Sequence, residues 1–194
     1  RWLILSSLPI TIIFLIFPEN LMSLFGTAYV ASSSILAILT IATFFQAVFG
    51  VAAPTLSMSG HTKLVLINTG SAFIINFVLN IFLIPKLGPK GAALSTLISL
   101  IGIGIIRVIQ VQYIFKINFL SRKLFKPIIA ACISGALMLT LKPYIINLNI
   151  LLSLFLATLI ILGIYTLVML MLKLEKEDIE FIKGVNIIKE KFNL

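Results

Sequence analysis

LVLINTGSAFIINFVLNIFLI (residues 64–84) and GAALSTLISLIGIGIIRVIQVQYIF (residues 91–115) are two long apolar segments separated by only six residues. The first segment has no charged side chain, and the second has one, Arg107. A helix needs about 20 predominantly apolar residues to cross the hydrocarbon core of a bilayer. The two segments therefore predict a pair of antiparallel transmembrane helices that are joined by a short turn over residues 85–90.

The rest of the chain has the same apolar character. Of its 194 residues, 60% are apolar and 11% are charged, and the mean hydropathy is +1.20. An average soluble domain has about 25% charged residues, so this composition excludes a water-soluble fold. The apolar runs are continuous rather than alternating, which favours helices over the strands of a barrel. We therefore predict an all-α integral membrane protein with six transmembrane helices, over residues 2–17, 31–58, 64–84, 91–115, 124–141 and 150–172.

The sequence offers little catalytic or metal-binding chemistry. The single histidine and the single cysteine, His61 and Cys132, cannot build a metal cage or a disulfide. Five of the six acidic residues lie in the last twenty positions and the sixth is Glu19, so residues 20–174 contain no carboxylate. The glycine clusters LGPKGAA and IGIG lack the preceding strand and the Lys-Ser/Thr pair of a phosphate-binding loop. The sequence therefore predicts neither an enzyme nor a metal or cofactor site.

The net charge of +9 comes from cations in short blocks between the apolar runs, which membrane topology explains better than nucleic-acid binding. With a cytoplasmic tail, eleven cations flank the cytoplasmic side, and three flank the opposite side, namely Lys86, Lys90 and Lys142. We therefore predict a multi-pass protein of the cytoplasmic membrane whose C-terminus is cytoplasmic. Residues 173–194 are predicted to be an amphipathic helix on the inner surface or a plain solvated tail. Labelling of cysteines at positions 118 and 147 from opposite sides would test this orientation.

The predicted helix over residues 91–115 carries a polar face. Ser95, Thr96, Ser99, Arg107 and Gln110 recur there at helical spacing. At about 1.5 Å per residue, Arg107 lies roughly 12 Å from the cytoplasmic end of the helix. Two interpretations remain open for it: the guanidinium snorkels to the inner interface, or it faces a cavity and attracts an anionic substrate.

The predicted helix over residues 64–84 carries Asn68, Asn76 and Asn80, with Ser71 near the same face. Intramembrane amides either hydrogen-bond a neighbouring helix or line a hydrated cavity, and the first role is the more common. In the helix predicted over residues 31–58, Gly50 and Pro54 favour a kink, because proline lacks the amide donor and clashes with the preceding turn. Such a kink is a candidate hinge, and it also occurs in static bundles.

Residues 59–96, SGHTKLVLINTGSAFIINFVLNIFLIPKLGPKGAALST, resemble the C-terminal region of prokaryotic polysaccharide flippases. The shared pattern is a glycine turn, an asparagine-rich span, a Leu-Ile-Pro exit and a Gly-x-x-Gly-Ala-Ala start of the next span. LMSLFGTAY before the second span and KEDIEFIK in the tail extend the resemblance over most of the chain. The residues that carry the central motif are Gly60, Thr62, Lys63, Asn76, Asn80, Ile84, Pro85, Gly88, Gly91, Ala92 and Ala93.

This resemblance implies membership of the superfamily of multidrug, oligosaccharidyl-lipid and polysaccharide exporters, which form two helical bundles of about 12 to 14 spans in total. The chain starts at Arg1 within an apolar run, and we expect it to be the C-terminal half, which needs a missing N-terminal half of the same protein. The implied activity is translocation of a glycan linked to undecaprenyl or another polyprenyl diphosphate. Candidate cavity residues are Arg107, Asn76, Asn80, Ser99 and Gln110. The alternatives are a multidrug exporter of the same superfamily and a non-transporting membrane scaffold subunit.

Overall fold

The computed structural model describes residues 2–116, 125–145 and 149–172, and every regular element in these ranges is a helix. The predicted tail over residues 173–194 and the loop positions Asn118 and Asn147 lie outside the described residues. A 3-10 helix, Thr27–Ser32, lies between the second and third α-helices. The α-helices are α1 (Trp2–Ile16), α2 (Pro18–Ser23), α3 (Ser33–Phe49), α4 (Ala52–Met58), α5 (Thr62–Leu87), α6 (Pro89–Phe115), α7 (Phe125–Ile145) and α8 (Ile150–Met171).

Five helical stretches in the described ranges are long and apolar enough to cross a membrane: Thr27–Met58, Thr62–Leu87, Pro89–Phe115, Lys126–Ile145 and Ile150–Met171. The composition and length of these helices are typical of a multi-pass membrane protein. The first predicted span is a shorter apolar helix of 15 residues. At about 1.5 Å per residue it extends roughly 22 Å, which is less than the ~30 Å hydrocarbon core. The all-α class is therefore confirmed, and the count of six spans is not.

The helix predicted over residues 31–58 is interrupted in its second half. It begins as the 3-10 helix, continues as α3 to Phe49, and resumes as α4 at Ala52. Pro54 lies in the first turn of α4 and has no N–H to donate to the carbonyl of Gly50. The kink predicted at Gly50 and Pro54 is therefore at the right position, but the structure has two separate helices there rather than one bent helix.

The turn between α5 and α6 is shorter than predicted. Both helices extend into the interval 85–90, and Gly88 alone separates Leu87 from Pro89. Gly88 has a φ of 58°, which a residue with a side chain adopts reluctantly, and Pro89 starts α6 in the position that best tolerates proline. This one-residue turn makes α5 and α6 a tight antiparallel hairpin.

The helices pack in two groups that α3 connects. α1, α7 and α8 share one apolar cluster, in which Phe17, Met138 and Ile161 are fully buried. α4 and α6 share a smaller one around Ala52 and Leu56. Among the described helices, α3 packs against both α1 and α6, whereas α5 packs mainly against α6 and to a smaller extent against α4. Most of α5 is consequently exposed at the edge of the described bundle.

A lysine of α7 contacts the junction between α1 and α2. Lys142 of α7 donates from Nζ to the carbonyl oxygen of Ile16 over 2.9 Å, and the same Nζ lies 5.6 Å from the ring centroid of Phe17. A cation at the carbonyl end of a helix is favourable because that end carries partial negative charge. The contact therefore stabilises the packing of α7 against the end of α1.

Candidate functional site in the α5–α6 hairpin

The two helices of the hairpin approach most closely beside the turn. Gly91 is buried, and a Cβ atom at this position would overlap the carbonyl group of Leu83 and lie 2.9 Å from the amide nitrogen of Ile84. The backbones of α5 and α6 can touch there only because residue 91 has no side chain. This contact sets the positions of the polar side chains that follow along both helices.

The polar residues nearest the turn form a chain of hydrogen bonds, one of which crosses from α6 to α5. Within α5, the amide of Asn80 donates to Oδ1 of Asn76 over 2.9 Å. The hydroxyl of Ser95 lies 2.7 Å from two acceptors, Oδ1 of Asn80 on the facing helix and the carbonyl oxygen of Gly91 in its own helix, which share its single proton. Ser95 is fully buried, and Ser99, at 4% exposure, donates to the carbonyl oxygen of Ser95. The asparagine face of α5 and the serine face of α6 therefore lie against each other beside the turn.

Near the other end of the hairpin, two amides form a reciprocal pair. Nδ2 of Asn68 donates to Oε1 of Gln110 over 2.6 Å, and Nε2 of Gln110 donates to Oδ1 of Asn68 over 3.2 Å. Asn68 is buried at 4% exposure, so each side chain satisfies polar atoms that would otherwise be costly in an apolar environment. Gln110, a predicted cavity residue, therefore uses its amide within the hairpin.

Arg107 lies one turn from this amide pair and bonds to α5. Its Nη2 donates to the hydroxyl oxygen of Thr69 over 2.9 Å, while its Nε is buried and has no hydrogen-bond partner among the described residues. The sole acidic residue in the described ranges is Glu19 of α2. The guanidinium is thus held toward α5 by a neutral hydroxyl, an arrangement that neither sequence interpretation anticipated.

The remaining motif residues have mainly backbone roles. Gly60, with a φ of 85°, lies in the turn before α5, and Pro85 lies inside the last turns of α5. Of the two glycines in IGIG, Gly104 contacts the ring of Phe49 on α3, whereas Gly102 has open space around its Cα. The pair therefore makes a close helix contact at Gly104 but not at Gly102.

A second feature is not apparent from the sequence. A cleft of about 390 Å³ lies between α1 and α3, and none of the predicted site residues lines it. Within the described ranges, no group of three or more His, Cys, Asp or Glu side chains could hold a metal ion. The polar chemistry of the described chain is therefore concentrated in the hairpin, with hydroxyl groups in the cleft.

The described helices define a multi-pass helical membrane protein. No family model, curated protein or solved structure matches the chain significantly.

The Asn68–Gln110 pair gives a direct test of how the hairpin is held together. Asn68→Leu and Gln110→Leu should each destabilise the protein, because each leaves the partner amide unsatisfied, and the double variant should lose less than the sum. We expect a coupling energy of about 1 kcal/mol in a double-mutant cycle, measured by detergent-induced unfolding of the purified protein. Thr96→Val is the control, since the Thr96 hydroxyl bonds only within its own helix, to Ala92. Additive single losses would contradict the pairing.

Proposed function

We propose that this chain is the C-terminal part of a flippase that moves a lipid-linked oligosaccharide from the inner to the outer leaflet of the cytoplasmic membrane. The observation that carries the proposal is Arg107, a cation inside an apolar helix that has no carboxylate partner in the described residues and a buried Nε without an acceptor. Intramembrane charges are costly and are generally retained for function. The resemblance over residues 59–96 to polysaccharide flippases supplies the substrate class.

A polyprenyl diphosphate would satisfy what Arg107 lacks. Its phosphate oxygens are charged acceptors, and guanidinium groups bind phosphates through two parallel N–H···O bonds. The hydroxyl of Thr69 is a neutral acceptor and would yield readily to a phosphate. We therefore infer that Arg107 contacts the diphosphate during translocation and returns to Thr69 afterwards, with the half-buried Asn76 and Asn80 farther along the hairpin as candidate contacts for the glycan. Ser99, which the sequence predicts as a cavity residue, is buried and bonded to Ser95.

The same proposal includes the orientation of the chain. Lys63 and Lys116 flank one end of the hairpin, where the His61 and Phe115 rings lie 6.2 Å apart, and Lys86 and Lys90 flank the other end. The hairpin itself is therefore balanced, but over the whole sequence eleven cations flank the side of Lys63 and Lys116 and three flank the side of Lys86 and Lys90. An excess of cations is typical of cytoplasmic loops. We propose that the end with Lys63 and Lys116 is cytoplasmic, so that Arg107 lies nearer the inner leaflet, where the substrate is loaded.

One observation favours a second candidate, a membrane scaffold subunit without transport activity. The hairpin amides and Ser95 bond to one another between α5 and α6, as expected of side chains that only hold helices together. A multidrug exporter gains no such support, since exporters of that kind commonly use intramembrane carboxylates for ion coupling and the described spans contain none.

Depletion of the protein in its native cell separates the candidates. A flippase predicts that the lipid-linked oligosaccharide accumulates on the cytoplasmic leaflet, where a membrane-impermeant glycosidase cleaves it in inverted vesicles but not in spheroplasts. Re-expression should restore the outer-leaflet fraction. A scaffold predicts that the leaflet distribution of this lipid stays unchanged while surface glycan falls, and that result would overturn the proposal.

A further inference from the structure

The cleft between α1 and α3 is lined by apolar side chains and by several hydroxyl groups. Four hydroxyl side chains, Ser7 and Thr11 from α1 and Thr40 and Thr43 from α3, face it together with the rings of Phe14 and Phe44. Its volume of about 390 Å³ far exceeds the ~30 Å³ share of one water molecule and falls within the usual range of ligand cavities. No charged side chain lines it.

The four hydroxyls need no partner from a ligand. Each bonds to a backbone carbonyl of its own helix: Thr11 to Ser7 over 2.8 Å, Thr40 to Leu36 over 2.7 Å and Thr43 to Thr40 over 3.0 Å. The Ser7 hydroxyl bonds likewise to Ile4, over 3.3 Å. An apolar group can therefore fill the cleft without leaving a hydroxyl donor unsatisfied, which would otherwise cost free energy.

The cleft lies along two apolar helices. Its lining residues run from the middle of α1 and α3 to the last turn of α1, at Phe14, and the first turn of α3, at Leu36. Within a bilayer, hydrocarbon chains surround apolar helices of this kind. The exposed side chains of Ile10 and Leu39 border the cleft, so it is open toward the surroundings of the bundle.

We propose that this cleft holds one hydrocarbon chain of a membrane lipid. Each of the four hydroxyls is already bonded within its own helix, so the occupant that fits is apolar. A single lipid chain gains dispersion contacts with Phe14 and Phe44 and makes no demand on the satisfied hydroxyls. This site is independent of Arg107 and of the proposed flippase activity.

The test is photolabelling of the full protein in nanodiscs with a phospholipid that carries a diazirine on its acyl chain. Peptide mapping should find the label concentrated on residues 7–14 and 36–44, above the labelling of the outward face of α8 around Phe155. Thr11→Phe and, separately, Thr43→Phe fill the cleft, and each should reduce this labelling about tenfold, which corresponds to about 1.4 kcal/mol. Thr140→Phe is the matched control, because Thr140 is exposed on α7 and bonds within its own helix.

Three results would overturn the proposal. Labelling of the cleft no stronger than that of the Phe155 face would show only general contact with lipid. Unchanged labelling in both filled variants, with the protein folded, would show that the chain does not enter the cleft. A photoreactive amino acid at position 10 that captures a protein segment rather than lipid would identify a different occupant.

Discussion

Gly91→Ala should destabilise this protein by about 3 kcal/mol, because one added methyl group must enter a contact between two backbones. The Cβ would overlap the carbonyl group of Leu83 on the facing helix, and a backbone atom cannot swing aside as a side chain can. Relief requires the hairpin to open at its turn. The opening would also separate Ser95 from Asn80, which meet one turn of α6 farther on.

Gly102→Ala is the matched control within the same helix. A Cβ at Gly102 meets nothing within 4 Å, and alanine favours a helix over glycine by about 0.5 to 1 kcal/mol. The two substitutions should therefore change stability in opposite directions, measured by detergent titration or by thermal unfolding of the purified protein. Equal effects at Gly91 and Gly102 would mean that the backbones do not touch at the turn.

Periodicity and composition were sufficient for the all-helical class and for the hairpin, but not for the number of spans or for the break between α3 and α4. The uncharged lengths of residues 64–84 and 91–115 define two spans, and the short interval between them forces the spans to be neighbours. The individual contacts across the hairpin could not be assigned from the sequence. Helical spacing shows which residues share a face of one helix, but not which residues of the neighbouring helix lie opposite them. Asn68 with Gln110, and Thr69 with Arg107, depend on the rotation of α5 about its axis, which the packing of Gly91 fixes.

The cleft could not be predicted from the sequence, for a related reason. Ser7, Thr11, Thr40 and Thr43 are small hydroxyl residues scattered through two apolar runs, and each bonds to its own backbone. Nothing local distinguishes them from hydroxyls that face lipid, such as Thr166 on α8. Only the packing of α1 against α3, which are separated along the chain by α2 and the 3-10 helix, brings the four side chains together.

Arg107→Ala is expected to lower glycan export roughly tenfold or more at unchanged protein level. A hydrogen bond to a charged group contributes about 1.5 to 3 kcal/mol, and about 1.4 kcal/mol corresponds to a factor of ten. Arg107→Lys should recover part of the export, since lysine keeps the charge but loses the bidentate geometry. Export is measured as surface glycan in cells that lack the native gene, with the amount of membrane-inserted protein as the reference.

Thr69→Val separates a cation that meets substrate from one that only ties two helices together. It removes the hydroxyl that accepts from Nη2 of Arg107 and leaves the charge in place. If Arg107 binds the diphosphate, Thr69→Val should retain most of the export, because the phosphate and not Thr69 is the acceptor that matters during translocation. If Arg107 is a structural tether, Thr69→Val and Arg107→Ala should lower stability alike, and export should fall only as far as the protein level does. Normal export by inserted Arg107→Gln would remove Arg107 from the substrate path, because glutamine is polar but carries no charge, and would leave Asn76 and Asn80 as the next candidates.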